Sequence, residues 1–259
     1  MVTANGITIR YEESGRGDPL ILLHGSLGTS ANWQDYMRQF ARHNHVIVPD
    51  ARDHGLTTFA ATAAASSAYP DLVVGDVVAL MDALGLKRAT LCGWSGGGDT
   101  ALHVAHRYPA RVAALIVGGT TQRVTETMRN TLKAMGLDGP GKVDLARARQ
   151  TIPEMIADWQ QKHTQFPDHW LRLLERQSHL MFDPPLLSKA DLAAIDVPTL
   201  VIWGDRDQFL PVEQAVELYR ALPDAQLAII PNADHSVTRT HPAQFGQLVT
   251  AFLAALSLG

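Results

Sequence analysis

Ser95 stands in a local sequence that could make it a nucleophile. Residues 93–97 read Gly-Trp-Ser-Gly-Gly, a Gly-x-Ser-x-Gly pattern that lies between the apolar run 89–94 and a helical segment ending near Arg107. A serine on such a sharp turn has a strained backbone, and side chains two positions either way would collide with the neighbouring strand and helix. Because the dinucleotide and P-loop patterns are absent, this sequence favours a nucleophile elbow over a phosphate-binding loop.

A nucleophilic serine needs a general base, an acid to orient the base, and donors for the oxyanion. His235 is the candidate base, because it lies on a loop just after the apolar run 226–230. Asp205 and Asp207 both follow the apolar run 198–203, so either could orient the histidine. The residues alone leave these two aspartates as alternatives.

Apolar runs alternate with segments of helical spacing along most of the chain. The runs rich in Val, Ile and Leu are residues 20–23, 45–48, 89–94, 112–117, 198–203 and 226–230. Because each crossover must bury an apolar stripe, we predict an α/β fold with a mostly parallel central sheet flanked by helices. Residues 7–12 alternate in polarity and precede a turn-rich stretch, which predicts an antiparallel edge hairpin.

The strand rhythm stops between residues 120 and 187, where helical stretches at residues 126–135, 153–163 and 168–181 follow one another with no convincing strand. We therefore predict a core domain of residues 1–119 and 188–259 with an inserted helical cap of residues 120–187. The methionines and aromatic residues of the cap could close an apolar pocket over the serine. The candidate pocket residues are Trp94, Trp159, Phe166 and Trp170.

These features together resemble the α/β-hydrolase superfamily, and in particular its capped serine esterases and lactonases. The resemblance rests on the serine elbow, the acid turn, the histidine loop and residues 24–28, His-Gly-Ser-Leu-Gly, which resemble the family's oxyanion loop. These motifs occur in the family's order and span nearly the whole chain apart from the cap. The resemblance implies Asp207 as the acid, because the family's acid usually stands three residues after the glycine that ends the strand.

The resemblance also implies which groups stabilise the oxyanion. The donors would be the backbone N–H groups of Ser26 and Gly96, with Leu27 as the alternative to Ser26 if the loop is shifted by one residue. His24 would brace this loop by hydrogen bonding rather than transfer protons.

A turn at residues 50–55, Asp-Ala-Arg-Asp-His-Gly, resembles the family's Asp-x-Arg-Gly-x-Gly turn. Asp53 stands where the family usually has glycine, so the shape of this turn does not follow from the resemblance. We interpret Asp50 and Arg52 as a structural pair.

The function that the resemblance implies is cleavage of a small, apolar carboxylic ester or lactone through an acyl-serine, without a cofactor. A carbon–carbon bond hydrolase of a diketone-type substrate would carry the same three catalytic residues and stays an alternative. A non-hydrolytic small-molecule binding protein is the alternative from another class, because a fold does not fix a function.

Composition argues against several other classes. Lys and Arg total 22 against 26 Asp and Glu, without a basic stripe, so we expect no nucleic-acid partner.

The apolar runs are far shorter than the roughly 20 residues of a membrane span, and the first residues lack a targeting pattern, so we predict a cytoplasmic protein without a membrane partner. The single cysteine, Cys92, is interpreted as a buried strand residue, and the scattered histidines predict no metal site.

Overall fold

The computed structural model describes residues 1–59 and 69–256. Its strands are β1 Val2–Ala4, β2 Ile7–Ile9, β3 Tyr11–Ser14, β4 Asp18–Leu23, β5 Asn44–Pro49, β6 Ala89–Trp94, β7 Val112–Gly118, β8 Leu137–Gly139, β9 Lys142–Val143, β10 Thr199–Gly204 and β11 Ala225–Ile230. Its helices are α1 Gln34–Phe40, α2 Tyr69–Ala83, α3 Gly96–Arg107, α4 Glu126–Ala134, α5 Leu145–Thr151, α6 Pro153–Lys162, α7 His169–Phe182, α8 Lys189–Ala193, α9 Val212–Ala221, α10 Val237–Thr240 and α11 Pro242–Leu256.

A seven-stranded sheet in the order β11-β10-β7-β6-β4-β5-β3 forms the centre of the molecule. Neighbouring strands are parallel except for β3, which runs antiparallel to β5 at one edge. The predicted α/β fold is therefore confirmed, and the six apolar runs are the six parallel strands. β6 lies in the middle of the sheet, so the residue that follows it stands at the centre of the edge where ligands bind in such folds.

Alternating side chains of β4 show how the sheet is covered on both faces. Leu20 and Leu22 pack in one apolar cluster with Phe245 of α11, whereas Ile21 packs in a second cluster with Leu80 of α2. Successive strand residues point to opposite faces, so a strand covered on both faces is apolar throughout. Full burial of each such side chain stabilises the fold by about 1.5–3 kcal/mol.

The predicted edge hairpin is wrong in its pairing. Residues 7–12 are divided between β2, which pairs with β1 in a separate two-stranded sheet, and β3, which pairs with β5. β4 has parallel partners on both sides, β5 and β6, so only the outer edge of β5 is open to β3. The edge is antiparallel as predicted, but β3 and β4 do not form a hairpin.

Residues 120–187, here called the inserted segment, connect β7 to the last third of the chain. The three predicted helical stretches correspond to α4, α6 and α7, and the sequence analysis missed α5. The expectation of no strand is wrong, because β8 and β9 form a small antiparallel pair. Gly139 and Gly141 have φ values of 156° and 70°, which lets the chain reverse sharply between these strands. The division into a core and a cap at these boundaries stays a prediction.

Candidate active site

Ser95 occupies the turn between β6 and α3 with φ 54° and ψ −127°. A serine rarely adopts this conformation, which costs on the order of 1–3 kcal/mol. Its N–H donates to the carbonyl oxygen of Gly118 at 2.8 Å. A Cβ at Gly93 would stand 2.2 Å from the oxygen of Gly97, and a Cβ at Gly97 would stand 2.2 Å from the oxygen of Leu23. The glycines on either side of the serine are therefore required sterically.

The imidazole of His235 lies between the other two predicted catalytic side chains. Its Nε2 is 3.1 Å from Oγ of Ser95, and its Nδ1 is 2.7 Å from Oδ2 of Asp207. The other carboxylate oxygen of Asp207 accepts the backbone N–H groups of Phe209 and Leu210, both at 2.9 Å. Because these amides hold Oδ1, Oδ2 faces the imidazole, and Nδ1–H donates to it. Nε2 is then free to take the hydroxyl proton of the serine.

The other aspartates near the histidine point elsewhere. Asp205 is exposed and lies 3.5 Å from the guanidinium of Arg206. The carboxylate of Asp234 accepts the backbone N–H of Ser236 at 2.9 Å, within its own loop. Of the two aspartates left open by the residues alone, Asp207 is the one in contact with the imidazole.

Ser26 lies on the loop after β4, beside the nucleophile turn. The carbonyl oxygen of Gly25 accepts both the N–H of Gly28 and the Nδ1–H of His24, each at 2.9 Å. The C=O and N–H of a trans peptide point in opposite directions, so these two bonds fix the direction of the Ser26 N–H. A Cβ built on Gly96 would stand 3.5 Å from the nitrogen of Ser26, so the two predicted donor residues adjoin.

Leu27 is held by hydrogen bonds at both of its backbone polar groups. Its N–H donates to Nε2 of His54 at 3.2 Å, and its carbonyl accepts Nε2–H of His163 at 3.0 Å. Its φ of 60° is unusual for a leucine and is maintained by these contacts. Because its N–H is already engaged, the structure argues against the alternative in which Leu27 supplies an oxyanion donor.

Four buried histidines form a cluster that the sequence analysis did not predict: His24, His54, His163 and His169. The distances between successive ring centroids are 5.0, 5.7 and 5.5 Å. Each ring accepts one backbone N–H and donates to one backbone carbonyl, so each is neutral. Burial lowers the pKa of all four rings, and that of His163 to about 4. These residues come from three separate parts of the sequence, and no local pattern marks them. Across residues 1–59 and 69–256, no group of His, Cys, Asp or Glu is arranged to hold a metal ion.

The turn after β5 differs from its prediction. Arg52 binds Asp76 of α2 through two hydrogen bonds of 2.8 and 2.6 Å, whereas the carboxylate of Asp50 accepts two backbone N–H groups at 2.7 and 3.2 Å. The predicted Asp50–Arg52 pair is therefore wrong. Loop amides bind the carboxylate of Asp50, and α2 supplies the carboxylate of Asp76 to Arg52. Asp53 has a φ of 69°, and its buried carboxylate pairs with Arg176 of α7. This contact joins the turn to the inserted segment.

A cavity of about 520 Å³ opens over the candidate catalytic side chains, with Ser95 and His235 in its wall. The inserted segment supplies nine apolar side chains of its lining: Met128, Leu132, Met135, Leu137, Met155, Trp159, Leu174, Leu180 and Met181. The cavity therefore has one polar, reactive region and one extensive apolar wall, which suits a small ligand with a reactive carbonyl.

The predicted pocket residues fall into two groups. Trp94 and Trp159 line the cavity, and the indole N–H of Trp94 also donates to the carbonyl of His235 at 2.8 Å. The prediction for Phe166 and Trp170 is wrong. The ring of Phe166 packs at 4.8 Å from that of His169, and Trp170 is buried in the apolar core.

Asp99 is a cavity residue that the sequence analysis missed. It lies four positions after Ser95 on α3, so both residues are on the same face of the helix. That spacing was the only sequence signal, and it does not distinguish a pocket carboxylate from an exposed helical one.

Comparison with known proteins agrees with the α/β fold. A family model described as the alpha/beta hydrolase family matches residues 20–248, and the chain belongs to that family. A 2-hydroxymuconate semialdehyde hydrolase of Pseudomonas sp. (strain CF600) is 29% identical, over 98% of this chain and 93% of that protein.

Two solved structures are similarly related. A thermophilic esterase from Thermogutta terrifontis is 26% identical with a TM-score of 0.74, over 96% of this chain and 94% of that one. Est816, described as an N-acyl homoserine lactone degrading enzyme, is 27% identical with a TM-score of 0.76, over 97% and 99% of the two chains. These proteins place the chain among hydrolases.

None of the helices in the described part of the chain is long and apolar enough to cross a membrane.

Proposed function

We propose that the chain is a serine hydrolase that cleaves a small, apolar carboxylic ester or lactone through an acyl-serine intermediate. Ser95 is the nucleophile, His235 the general base, and Asp207 the acid that orients the histidine. The observation that carries the proposal is the continuous hydrogen-bonded chain Oγ–Nε2 at 3.1 Å and Nδ1–Oδ2 at 2.7 Å, beside an apolar cavity. This chemistry needs no cofactor.

Acylation begins when Oγ of Ser95 attacks the carbonyl carbon and Nε2 of His235 takes the hydroxyl proton. The backbone N–H groups of Ser26 and Gly96 donate to the resulting oxyanion, and Asp207 stabilises the imidazolium. The tetrahedral intermediate collapses, the C–O bond to the alcohol breaks, and the imidazolium gives its proton to the leaving oxygen. The acyl group is then bonded to the serine.

Deacylation repeats these steps with water. His235 takes a proton from the water as its oxygen attacks the acyl carbon, and the same amides hold the second oxyanion. The acyl–Oγ bond breaks, the carboxylic acid leaves, and Oγ regains the proton. A lactone would give one product, a hydroxy acid, because its acid and alcohol belong to the same molecule.

The cavity supports an apolar substrate of modest size. Met128, Met155 and Trp159 contribute to its wall, and methionine side chains adapt to ligands of different shape. The esterase and the lactone-degrading enzyme reported above add support, since both are similar to this chain over nearly all of its length.

Carbon–carbon bond hydrolysis is the second candidate, favoured by the hydroxymuconate semialdehyde hydrolase relative. The substrate in that name has no ester group, so its hydrolysis must break another bond. The same serine, histidine and aspartate could serve such a reaction, and only the groups that contact the substrate would differ.

The test compares the wild type with Ser95→Ala on p-nitrophenyl esters of graded acyl length, on γ- and δ-lactones, and on a vinylogous diketone. We expect the esters and lactones to be hydrolysed, and the variant to lose about 10⁶-fold in kcat. Ser14→Ala, which removes an exposed serine of β3, should keep the wild-type rates.

Two results would contradict the proposal. Faster turnover of the diketone than of every ester and lactone would favour the carbon–carbon hydrolase. Tight, saturable binding of a small molecule with no turnover of any substrate would identify a binding protein.

A further inference from the structure

Asp99 places a carboxyl group in the wall of the cavity that also holds Ser95 and His235. It lies one helical turn beyond the nucleophile, and its own N–H donates to the carbonyl oxygen of Ser95 at 3.0 Å. Its Oδ1 accepts the backbone N–H of Thr121 at 2.9 Å, which fixes the side chain against the loop after β7. A carboxylate has four acceptor positions on its two oxygens, so capacity remains on the side of the cavity.

The charged groups around the cavity leave this carboxyl without a strong cationic partner among the described residues. Lys162 lies 2.7 Å from Asp158 and is paired with it, while Arg239 and Glu154 are exposed to solvent.

The other titratable groups of the cavity lining are four imidazoles and the phenol of Tyr69, whose pKa is raised by burial, so that it stays neutral. His24, His54 and His103 each donate to a backbone carbonyl and have a pKa lowered by burial. His235 is therefore the imidazole whose charge acts on Asp99.

We propose that Asp99 is a specificity-determining residue, which favours substrates that present a neutral hydrogen-bond donor to this wall and disfavours substrates that place a carboxylate there. The inference rests on the proposed function, because it concerns which esters reach the acyl-serine stage. A hydroxyl or amide N–H of the substrate would donate to the free acceptor positions of Asp99. A substrate carboxylate would meet like charge in a largely apolar cavity, where such repulsion is weakly screened.

The ionisation of Asp99 gives the inference a pH signature. Burial raises the pKa of its carboxyl to about 7, against the opposing effects of the Thr121 amide and the charge of His235. Rejection of anionic substrates should therefore strengthen as the pH rises from 6 to 8, because more of the Asp99 population is then ionised.

The experiment measures kcat/KM for matched p-nitrophenyl esters: hexanoate, its derivatives with one hydroxyl at carbons 2 to 6, and the adipate half-ester. We expect the wild type to prefer at least one hydroxy ester over hexanoate and to discriminate against the half-ester. In Asp99→Asn, the hexanoate-to-half-ester ratio should fall by about 10- to 100-fold and lose its rise with pH. Asp99→Ala provides a second neutral variant and should shift the ratio in the same direction.

Glu175→Gln is the control, because it removes an exposed carboxylate of α7 that does not line the cavity and should keep the wild-type ratios. Equal hexanoate-to-half-ester ratios in the wild type and both Asp99 variants would overturn the role assigned to Asp99 and would leave the proposed function intact. If the wild type hydrolyses none of the esters, the proposed function and this inference both fail.

Discussion

His163 donates its Nε2–H to the carbonyl oxygen of Leu27 at 3.0 Å, and so joins the end of α6 to the loop that carries Ser26. The same ring accepts the N–H of Gly55 at 3.0 Å. One residue of the inserted segment thus contacts both the candidate oxyanion loop and the turn after β5. The position of α6 and the geometry of the oxyanion donor are therefore coupled.

Replacement of His163 should reduce turnover more than substrate binding. In His163→Ala we expect kcat to fall about 10-fold, within the 10²- to 10³-fold limit for complete loss of one oxyanion donor, and KM to change less than about 3-fold. His163→Gln should recover part of the rate, because an amide can both donate to Leu27 and accept from Gly55. His43→Ala, at an exposed position, is the control. Equal effects on kcat and KM in both His163 variants would argue against a positioning role.

The buried histidines should make the fold sensitive to acid. Burial lowers the pKa of His163 from its ordinary value of 6.5 to about 4 in the folded chain. The unfolded chain therefore binds the proton first as the pH falls. Neutral His163 therefore contributes about 3 kcal/mol to the free energy of unfolding. This contribution is complete above about pH 6.5 and is lost as the pH falls towards 4. The measurement is the free energy of unfolding in urea from pH 8 to 4.5. His163→Gln should show a shallower slope below pH 6.5, and an unchanged slope would contradict the assignment.

The buried pair between Asp53 and Arg176 should be required for stability. Their side chains are 0% and 6% exposed, so loss of one partner leaves an uncompensated charge in the interior. Asp53→Gly introduces the residue usual in the family and suits the φ of 69°, yet we expect it to lower the free energy of unfolding by about 3–5 kcal/mol. The double variant Asp53→Gly with Arg176→Met should recover a large part of that loss. A stable single variant would show that the pair is not needed.

The two aspartates after β10 should differ in their effect on catalysis. Asp207→Asn removes the negative charge that meets Nδ1 of His235 and should lower kcat by about 10³- to 10⁴-fold. Asp205→Asn changes an exposed residue beside Arg206 and should stay within about 3-fold of the wild type. The reverse order of effects would show that Asp205 orients the histidine.

The sheet and the arrangement of the candidate catalytic residues could be predicted because their signals are local. Buried parallel strands need apolar residues on both faces, so β4, β6 and β10 are visible as short apolar runs. The turn at Ser95 needs glycine at positions 93 and 97 for steric reasons, so five consecutive residues are enough to indicate it. The order of the later loops then limits the choice of base and acid.

The remaining features depend on contacts between distant segments. Arg52 pairs with Asp76 of α2 rather than with its neighbour Asp50, and the side chain of Phe166 packs on His169 rather than in the cavity. No spacing in the sequence indicates either contact, since each is decided by how one segment packs on another. The strand pairing of β8 and β9 was missed for a different reason, because strands of three and two residues are too short to show a periodic pattern.

The most direct test of the account is to locate the nucleophile with a fluorophosphonate probe, followed by intact-mass analysis and peptide mapping. The account predicts one adduct, on Ser95, no adduct in Ser95→Ala, and slower labelling in His235→Ala, because the hydroxyl then has no base within 3.1 Å. An adduct that persists in Ser95→Ala, or ester hydrolysis by a wild-type protein that is never labelled, would contradict it.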